Sequence, residues 1–294
     1  LLVSIEARLV AHEAGFVTGE LFSEVPNIKF LKALRQDAAM VVSKARHVEW
    51  PGHVLHRYSE IESGRVYAEG VGNLQNCYRV LREAAMAGLY DIDIENCHYS
   101  ILAQMAAAQG YPCTEINDYL RRANKKKVRE SLAAEFGISV RQAKDALIAL
   151  IYGAKFSGRA EDALPIIFNS TQLAKKIYLH PKFLALRDDI SGAREVVLKA
   201  QEVSRRTIKN CRGLTIRLDD SNERQQLAHL LQGVEVTALE AAYRLYPKEI
   251  VLLQHDGFTS TKPLDTKRIE AAMLEATGYR LEVEQKVIQV NLGD

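Results

Sequence analysis

Two predicted strands of the sequence lead into aspartates whose carboxylates could hold metal ions. The apolar residues 251–253 run towards Asp256 and Gly257, and residues 89–92 run towards Asp93. Carboxylate oxygens suit Mg²⁺, and two such ions about 3.5–4 Å apart assist the transfer of phosphoryl groups. Asp-Gly is also a common hairpin turn, so Asp256 taken alone favours a turn. The two aspartates together, one early and one late in the chain, predict a metal site.

A second group of candidate residues lies on one predicted helix, for which Ser139 is a suitable N-cap. Lys144, Ile148 and Tyr152 are four residues apart and therefore share one slowly drifting stripe of that helix. A lysine there could reach a triphosphate as a point charge, and a tyrosine could stack on a base or sense a sugar. On spacing alone, an amphipathic helix whose lysine extends into solvent is the favoured interpretation.

The composition is typical of a globular protein that does not cross a membrane. Of 294 residues, 47% are apolar and 26% are charged, and no apolar run approaches the roughly 18 residues of a membrane span. The four cysteines are far apart, which argues against a zinc site or a disulfide framework and favours a reducing compartment. No secretory leader is evident. We expect a cytoplasmic location, or a host-cell interior or organelle matrix if the gene is viral or plasmid-borne.

The distribution of charge indicates more than the net charge, which is only +2. Residues 121–129 carry six cations and no acid, and residues 205–217 form a second basic run. Such runs could neutralise backbone phosphates. For either run alone, a solvated helix face is the favoured interpretation.

The order of predicted elements indicates an α+β fold. Strands are predicted near both ends, at 89–93, 250–255 and 279–291, and residues 115–245 are mostly helical. Further helices are predicted at 28–48, 97–108 and 265–277, with a turn at 50–53. This order predicts a small antiparallel sheet that is interrupted by a large helical insertion.

Five short segments, in this order, resemble the superfamily that joins family-A DNA polymerases and phage-type (mitochondrial-type) single-subunit RNA polymerases. They are Gly64-Arg65-Val66-Tyr67-Ala68 with Asn73 and Gln75, Asp93-Ile94-Glu95-Asn96-Cys97-His98, Lys144 to Tyr152-Gly153, Gln232-Gly233, and His255-Asp256-Gly257-Phe258. The resemblance spans about residues 60 to 280, and the ordered set is more specific than any single motif.

The resemblance implies template-directed nucleotidyl transfer and a role for each matched residue. The catalytic residues would be Asp93, Asp256, Lys144 and Tyr152. The two aspartates would bind two Mg²⁺ ions, for which Mn²⁺ could substitute, and Asp91 is a reserve ligand. Further nucleotide contacts would come from Ile148, His98 and Arg141. Nucleic-acid contacts would come from Arg65, Tyr67, Asn73, Gln75, Gln232 and His255.

The resemblance also implies a division into palm and fingers. Residues 61–112 and 227–294 would form the palm, residues 113–226 the fingers, and residues 1–60 a helical remnant of the thumb. We therefore expect a thumb that is reduced or absent. Such a chain could be a minimal enzyme, a fragment, or an enzyme that relies on an accessory processivity protein. The expected partners are a nucleic-acid template, with DNA favoured, a nascent strand and nucleoside triphosphates.

Several positions favour RNA as the product. The DNA enzymes exclude a 2′-hydroxyl with a glutamate where this chain has His98, carry an aromatic residue where it has Ile148, and usually have a glutamate where it has Gly257. In contrast, Gln232-Gly233 and the spacing of the motif around Asp93 resemble the DNA enzymes. Arg141 lies three residues before Lys144, where the family has an arginine four residues before. RNA synthesis is the prediction, and a minimal DNA polymerase is the alternative.

Two other functions stay open. A palm that binds nucleic acid without catalysis would not require the combination of Asp93, Lys144, Tyr152 and Asp256. A nuclease could use the same two carboxylates, but it would not explain the lysine and the tyrosine.

Overall fold

The computed structural model describes residues 28–46 and 52–289 and has the predicted α+β architecture. The predicted turn at Trp50-Pro51, the end of the predicted helix 28–48, the last residues of the predicted strand 279–291 and most of the segment 1–60 lie outside the described residues.

Eight strands and eleven helices lie within the described ranges. The strands are β1 (Tyr58–Glu60), β2 (Val66–Ala68), β3 (Tyr90–Ile94), β4 (Thr207–Lys209), β5 (Thr215–Arg217), β6 (Ile250–Leu253), β7 (Gly257–Ser260) and β8 (Val283–Val287). The helices are α1 (Ile28–Ala45), α2 (Arg79–Ala85), α3 (Cys97–Ala107), α4 (Thr114–Leu120), α5 (Arg122–Phe136), α6 (Val140–Ile151), α7 (Ala163–Phe168), α8 (Thr171–Tyr178), α9 (Pro181–Lys199), α10 (Glu223–Leu245) and α11 (Thr266–Thr277).

The central sheet is antiparallel and has the strand order β6-β7-β3-β8. Strand β3 lies inside this sheet, and its side chains alternate as the sequence predicts. Ile92 and Ile94 are buried in the core, which places Asp91 and Asp93 on the opposite face. The sheet therefore holds its carboxylates on the face that does not pack against the core.

The helical region packs against the core side of the sheet and is continuous with it. One cluster of buried side chains includes Ile92 on β3, Leu102 on α3, Leu147 on α6 and Leu231 on α10. Helices α6 and α10 therefore have fixed positions relative to β3. Both helices begin with a capping box, in which the N-cap side chain and the side chain three residues later bond to each other's backbone amides. The predicted helix after Ser139 is confirmed.

Some predicted elements differ from the structure in length. The predicted strand 250–255 ends at Leu253, because Gln254 begins the turn, where its N–H donates to the carbonyl of Gly257 at 2.8 Å. The predicted strand 279–291 is reduced to β8, whose extent is set by pairing with β3. The hairpin of β4 and β5 lies within the region predicted as helical. Across the described ranges, no helix has both the length and the apolar character that a membrane crossing requires.

Candidate active site

Asp93 and Asp256 are brought together by the pairing of β3 with β7. Asp93 lies opposite Gly257 in that pair, and the N–H of Ile94 donates to the carbonyl of Asp256 at 2.8 Å. The turn between β6 and β7 thus places Asp256 beside Asp93. The two aspartates that the sequence singled out are neighbours in the folded chain.

Gly257 makes this close approach sterically feasible. A Cβ atom at residue 257 would lie 2.3 Å from the carbonyl oxygen of Ile92 and 3.0 Å from the Cα of Asp93. Both contacts are with backbone, which cannot rotate away as a flexible side chain could. Packing of β7 against β3 therefore explains the glycine after Asp256 without reference to the identity of the product.

The carboxylates of Asp93 and Asp256 repel each other, and a bound cation would relieve this repulsion. Burial, the carboxylate of Asp256 and the carboxylate of Asp91 together raise the pKa of Asp93 to about 8, although Lys144 and Lys286 oppose the rise. Like-charged carboxylates in one site disfavour simultaneous ionisation. Bound cations would remove this repulsion, and the donors are all oxygens. The residues present therefore fit a site for Mg²⁺ or Mn²⁺.

The aspartates lie at the junction of two cavities, which share Asp93, Asp256 and Lys144. Cavity A has a volume of about 370 Å³ and extends towards α2 and β8. Cavity B has a volume of about 300 Å³ and extends towards α3, α6 and α10. Lys144 faces the carboxylates, as its effect on the pKa of Asp93 also indicates.

Cavity A is lined by cations that sequence reasoning did not single out. Arg79 and Arg82 come from α2, and Lys286 comes from β8. Lys286 pairs in register with Asp91, and its Nζ lies 3.3 Å from Oδ2 of that residue. The register of β3 with β8 places Lys286 on the carboxylate face, and no local sequence pattern indicates this.

Cavity B contains a polar ring of Arg65, Glu235, His98 and Tyr152. Nε and Nη2 of Arg65 donate to Oε1 and Oε2 of Glu235 at 2.9 and 2.6 Å. Nε2 of His98 lies 2.7 Å from Oε2 of Glu235, in a polar contact that is not aligned as a hydrogen bond. The hydroxyl of Tyr152 lies 2.7 Å from Nδ1 of His98. Sequence reasoning missed Glu235, which lies on α10 three residues after Gln232.

The polar ring changes the acidity of its members. Burial raises the pKa of Glu235, but the contacts with His98 and Arg65 outweigh it and leave that pKa below its usual value. Burial also raises the pKa of Tyr152 to about 12, against the opposing effect of Arg65. Glu235 is therefore an ionised carboxylate inside the protein, with its charge compensated by its neighbours.

His255 and Tyr67 form the wall beside the polar ring. Their ring centroids are 4.8 Å apart. Burial and then the charge of Arg65 lower the pKa of His255. Arg65 and His255 also line an apolar cleft of about 150 Å³ between α10 and β6. Arg65 thus lies between cavity B and this cleft.

Comparison with solved structures identifies the architecture. The POL domain of Pol1 from M. smegmatis, solved in complex with DNA primer-template and dNTP, matches 88% of this chain with a TM-score of 0.55. The fold is that of a polymerase domain. Sequence identity is 18%, and the chain spans about half (51%) of the solved domain, so the likeness establishes the fold and not the activity. A polymerase-domain fold agrees with the predicted resemblance at this level.

Comparisons of sequence are less informative than the comparison of structures. No family model matches the chain. A stretch of 92 residues, or 31% of the chain, is 33% identical to the "Putative helicase V13" of Sputnik virophage and covers 12% of that protein. So small a share of the virophage protein carries no inference about activity.

Two residues predicted to contact nucleic acid, Asn73 and Gln75, form hydrogen bonds with backbone groups inside the fold. Asn73 and Gln75 are only 5% and 6% exposed. The side chain of Asn73 donates to the carbonyl of Gly70. Gln75 accepts from the N–H of Ala68 and donates to the carbonyls of Val66 and Leu253. Both amides hold β2 and the loop that follows it in place, and this arrangement gives no support to a contact with nucleic acid.

Gln232 and Arg141 do not line either cavity. Gly233, next to Gln232, leaves room for the side chain of Asn210, because a Cβ atom there would lie 2.7 Å from it. The glycine of the Gln-Gly pair thus has a packing explanation. Arg141 lies on the exposed side of α6, with its Nε 3.9 Å from Oδ2 of Asp145. In contrast, Ile148 and His98, for which the resemblance implies nucleotide contacts, do line cavity B.

The first basic run contributes to cavity B, and the second does not. Lys125 and Arg129 on α5 line the cavity. Lys125 is paired with Glu95, and Nη2 of Arg129 donates to Oδ1 of Asn96 at 3.1 Å. In the second run, Arg206 and Arg217 pair with Asp219 and Asp220 at the surface. Arg206 and Arg217 are thus solvated as the sequence predicts, but on a strand hairpin and not on a helix face, and Arg212 pairs with Glu60 and Glu240.

Cys97, His98 and Glu235 form a second group with metal-ligand chemistry, since one ligand atom from each lies within 4.8 Å of the others. Both carboxylate oxygens of Glu235 are already in contact with Arg65. A bound cation would lie next to that guanidinium and would be repelled by it. The group therefore fits a metal less well than the aspartate pair does.

Proposed function

We propose that this chain extends a nucleic-acid strand by template-directed nucleotidyl transfer from nucleoside triphosphates. The observation that carries the proposal is the placement of Asp93 and Asp256, side by side, at the junction of two cavities and facing Lys144. One cavity supplies cations and the other supplies an aromatic and polar wall. This combination suits a substrate with a charged tail and a planar base.

Cavity A offers cations to a triphosphate, of which Arg79 and Lys286 also pair with Glu83 and Asp91. Lys144, Arg79, Arg82 and Lys286 surround it. Guanidinium groups bind phosphate oxygens in pairs, and lysines bind them as point charges. We assign the phosphates of the incoming nucleotide to this cavity, with Lys144 at the boundary where the reacting phosphate would lie.

Cavity B provides surfaces for the base and the sugar. Ile148 and Tyr152 are both partly exposed towards it, and an aromatic ring stacks on any base without regard to sequence. His98 lies beside Tyr152, with the ring centroids 5.5 Å apart. We assign the base to the wall of Ile148 and Tyr152, and the sugar to the neighbourhood of His98.

Asp93 and Asp256 would hold the two divalent ions. When bound, Mg²⁺ would lower the pKa of the attacking hydroxyl and neutralise charge on the leaving group. Lys144 orients the triphosphate, and the wall of His255 and Tyr67 adjoins the site where the end of the nascent strand would lie. The palm would comprise residues 61–112 and 227–294, and the fingers residues 113–226.

RNA is the product that we propose, because the chain has His98 where the resembling DNA enzymes have a glutamate. DNA is the second candidate, and one observation favours it. Glu235 brings a carboxylate from α10 to the contact between His98 and Tyr152, so cavity B does contain an acidic group. The related POL domain was solved with a DNA primer-template and dNTP.

Primer extension tests both parts of the proposal. A labelled primer on a DNA template is incubated with Mg²⁺ and either ribonucleotides or deoxyribonucleotides. We expect extension with a preference for ribonucleotides, and loss of extension in Asp93→Asn and Asp256→Asn. Asp220→Asn, at a surface ion pair, is the matched control and should retain activity. A clear preference for deoxyribonucleotides would reverse the product assignment.

Binding assays separate an enzyme from a catalytically inactive palm. If the wild type binds primer–template but extends it with neither nucleotide set, and Asp256→Asn binds equally well, the chain is a binding protein. Degradation of the primer in the absence of nucleotides would instead favour a nuclease.

A further inference from the structure

Glu235 is a buried carboxylate to which the proposed mechanism gives no task. It lies in the middle of α10 and is 1% exposed. Burial of an ionised carboxylate is unfavourable unless it is fully paired. Here Arg65 contacts both carboxylate oxygens, and His98 contacts Oε2. Both oxygens of Glu235 are thus engaged by partners from other elements, which restrains those partners as well.

The two partners of Glu235 lead to different parts of the site. His98 is 7% exposed, lines cavity B and contacts the hydroxyl of Tyr152. Arg65 lines both cavity B and the apolar cleft beside His255. One carboxylate therefore supports a pair that faces the incoming nucleotide and an arginine that faces the neighbouring cleft.

The contacts of the polar ring make its two sides interdependent. Arg65 and His98 share Oε2 of Glu235, so a shift of either group changes the charge that compensates the other. Arg65 also opposes the rise in the pKa of Tyr152, so the charge of Arg65 acts on the far member of the ring as well. Hydrogen-bonded groups in a low-dielectric site influence one another more strongly than they would in water.

We propose that Glu235 is a positioning residue that couples Arg65, which lies with His255 at the site assigned to the end of the nascent strand, to the nucleotide pocket of His98 and Tyr152. This inference rests on the proposed function. Glu235 touches neither substrate. It holds Arg65 in one orientation, and that orientation in turn determines the position available to His98. Binding of the strand at Arg65 then stabilises the form of the pocket that binds the nucleotide.

A double-mutant cycle measures this coupling. Arg65→Lys removes the two-pronged contact, and His98→Gln keeps a polar side chain of similar size. The affinity for a labelled primer–template is measured without nucleotide, and KM for the nucleotide is measured by extension. We expect each single variant to lower the affinity for primer–template and to raise KM for the nucleotide. In the double variant, the combined effect on each parameter should be smaller than the product of the two single effects, by about 5-fold or more. When Glu235→Gln is also present, the effects of Arg65→Lys and His98→Gln should multiply independently.

Controls separate positioning from damage to the fold. Glu223→Gln changes another glutamate of α10, which pairs with Arg194 at the surface, and should leave both parameters unchanged. Far-ultraviolet circular dichroism shows whether Glu235→Gln folds. If it does not, the cycle of Arg65→Lys with His98→Gln in the otherwise native chain still decides the question.

The outcomes distinguish this inference from the proposed function. An active wild type in which the effects of Arg65→Lys and His98→Gln multiply independently overturns the coupling alone. Unchanged strand affinity in His98→Gln would do the same. A wild type that neither binds nor extends primers overturns the proposed function, and the coupling with it.

Discussion

Asp93 on β3 faces Gly257 on β7 across the sheet, and Asp256 lies beside Asp93 because residue 257 has no side chain. The aspartate pair therefore depends on a glycine that does no chemistry itself. Because backbone packing explains Gly257, the absence of a glutamate at that position no longer favours RNA over DNA as the product.

Gly257→Ala should separate the two aspartates. Its Cβ atom would meet the backbone of Ile92 at 2.3 Å, and overpacking of this kind costs about 1–3 kcal/mol. A shift of about 1 Å at reacting groups can reduce the rate by about 100-fold. We expect both effects, measured by urea unfolding and by primer extension. Ala108→Ser, which also adds one heavy atom but at an exposed position, is the control. An active, stable Gly257→Ala would contradict the steric explanation.

Asp93→Asn should stabilise the metal-free protein. The pKa of Asp93 is raised from 3.8 to about 8, so the folded chain holds the proton more tightly than the unfolded chain does. Stability is therefore lost as the pH rises from about 4 to about 8. Because each unit of pKa shift corresponds to about 1.4 kcal/mol, the variant should gain at least a few degrees in Tm at pH 8 and little at pH 4.

Mg²⁺ should stabilise the wild type more than Asp93→Asn, because Asp93 is a proposed ligand. Thermal unfolding with EDTA or with Mg²⁺ at pH 8 should show stabilisation of the wild type and a smaller effect on Asp93→Asn. A ligand that binds only the folded state stabilises it by RT ln(1 + c/Kd), where c is the free ligand concentration, so Tm rises with the logarithm of the affinity when the ligand is in excess. Equal Mg²⁺ stabilisation of both proteins would place the ions elsewhere.

Lys144→Met and Arg141→Met on the same helix should differ sharply. Lys144 lines both cavities, and loss of a bond to a charged group costs about 1.5–3 kcal/mol, or about 10- to 100-fold in KM for the nucleotide. Arg141 lies on the exposed side of α6, and its replacement should change KM less than about 3-fold. Steady-state extension measures both. A large effect of Arg141→Met would restore the nucleotide contact that the sequence predicts.

Gln75→Ala should affect stability rather than substrate binding. Its amide joins β2 to β6 through the carbonyls of Val66 and Leu253 and the N–H of Ala68. Unpaired buried groups cost about 1–3 kcal/mol each, which urea unfolding can resolve. Gln109→Ala, at an exposed position, is the control. If the variant keeps its stability but binds primer–template weakly, the contact predicted from the sequence is correct.

The sequence singled out the aspartates and Lys144 as an ordered set, since on its own Asp256 favours a turn and Lys144 an ordinary amphipathic helix. Asp93 ends an alternating strand, Asp256 precedes a glycine, and Lys144 lies on a capped helix. The α+β order followed from the same patterns. These features depend on short-range spacing, which a single sequence displays directly.

The remaining features depend on tertiary contacts. Arg65 and Glu235 are 170 residues apart, and only the placement of α10 beside the start of β2 brings them together. Asn73 and Gln75 are polar side chains whose partners turn out to be backbone groups, because the loop after β2 is buried. A polar residue in a sequence does not reveal whether its hydrogen bonds will be internal.

Glu235→Gln should destabilise the protein most near neutral pH. The pKa of Glu235 is below its usual value, because its contacts with His98 and Arg65 outweigh burial. The stabilisation from its charge is therefore present above the unfolded pKa, near 4.5, and is lost as the pH falls below it. Removal of one partner from a buried ion pair costs about 3–5 kcal/mol.

Urea unfolding of the wild type and Glu235→Gln at pH 7, 5 and 3 tests this prediction. The difference in the free energy of unfolding should be largest at pH 7 and should shrink as the pH falls below 4.5, because the unfolded wild type then takes up a proton that the folded state resists. Glu275→Gln, an exposed position on α11, should show little difference at any pH. A constant difference across the three values would mean that Glu235 acts through shape rather than charge, because only its charge depends on pH.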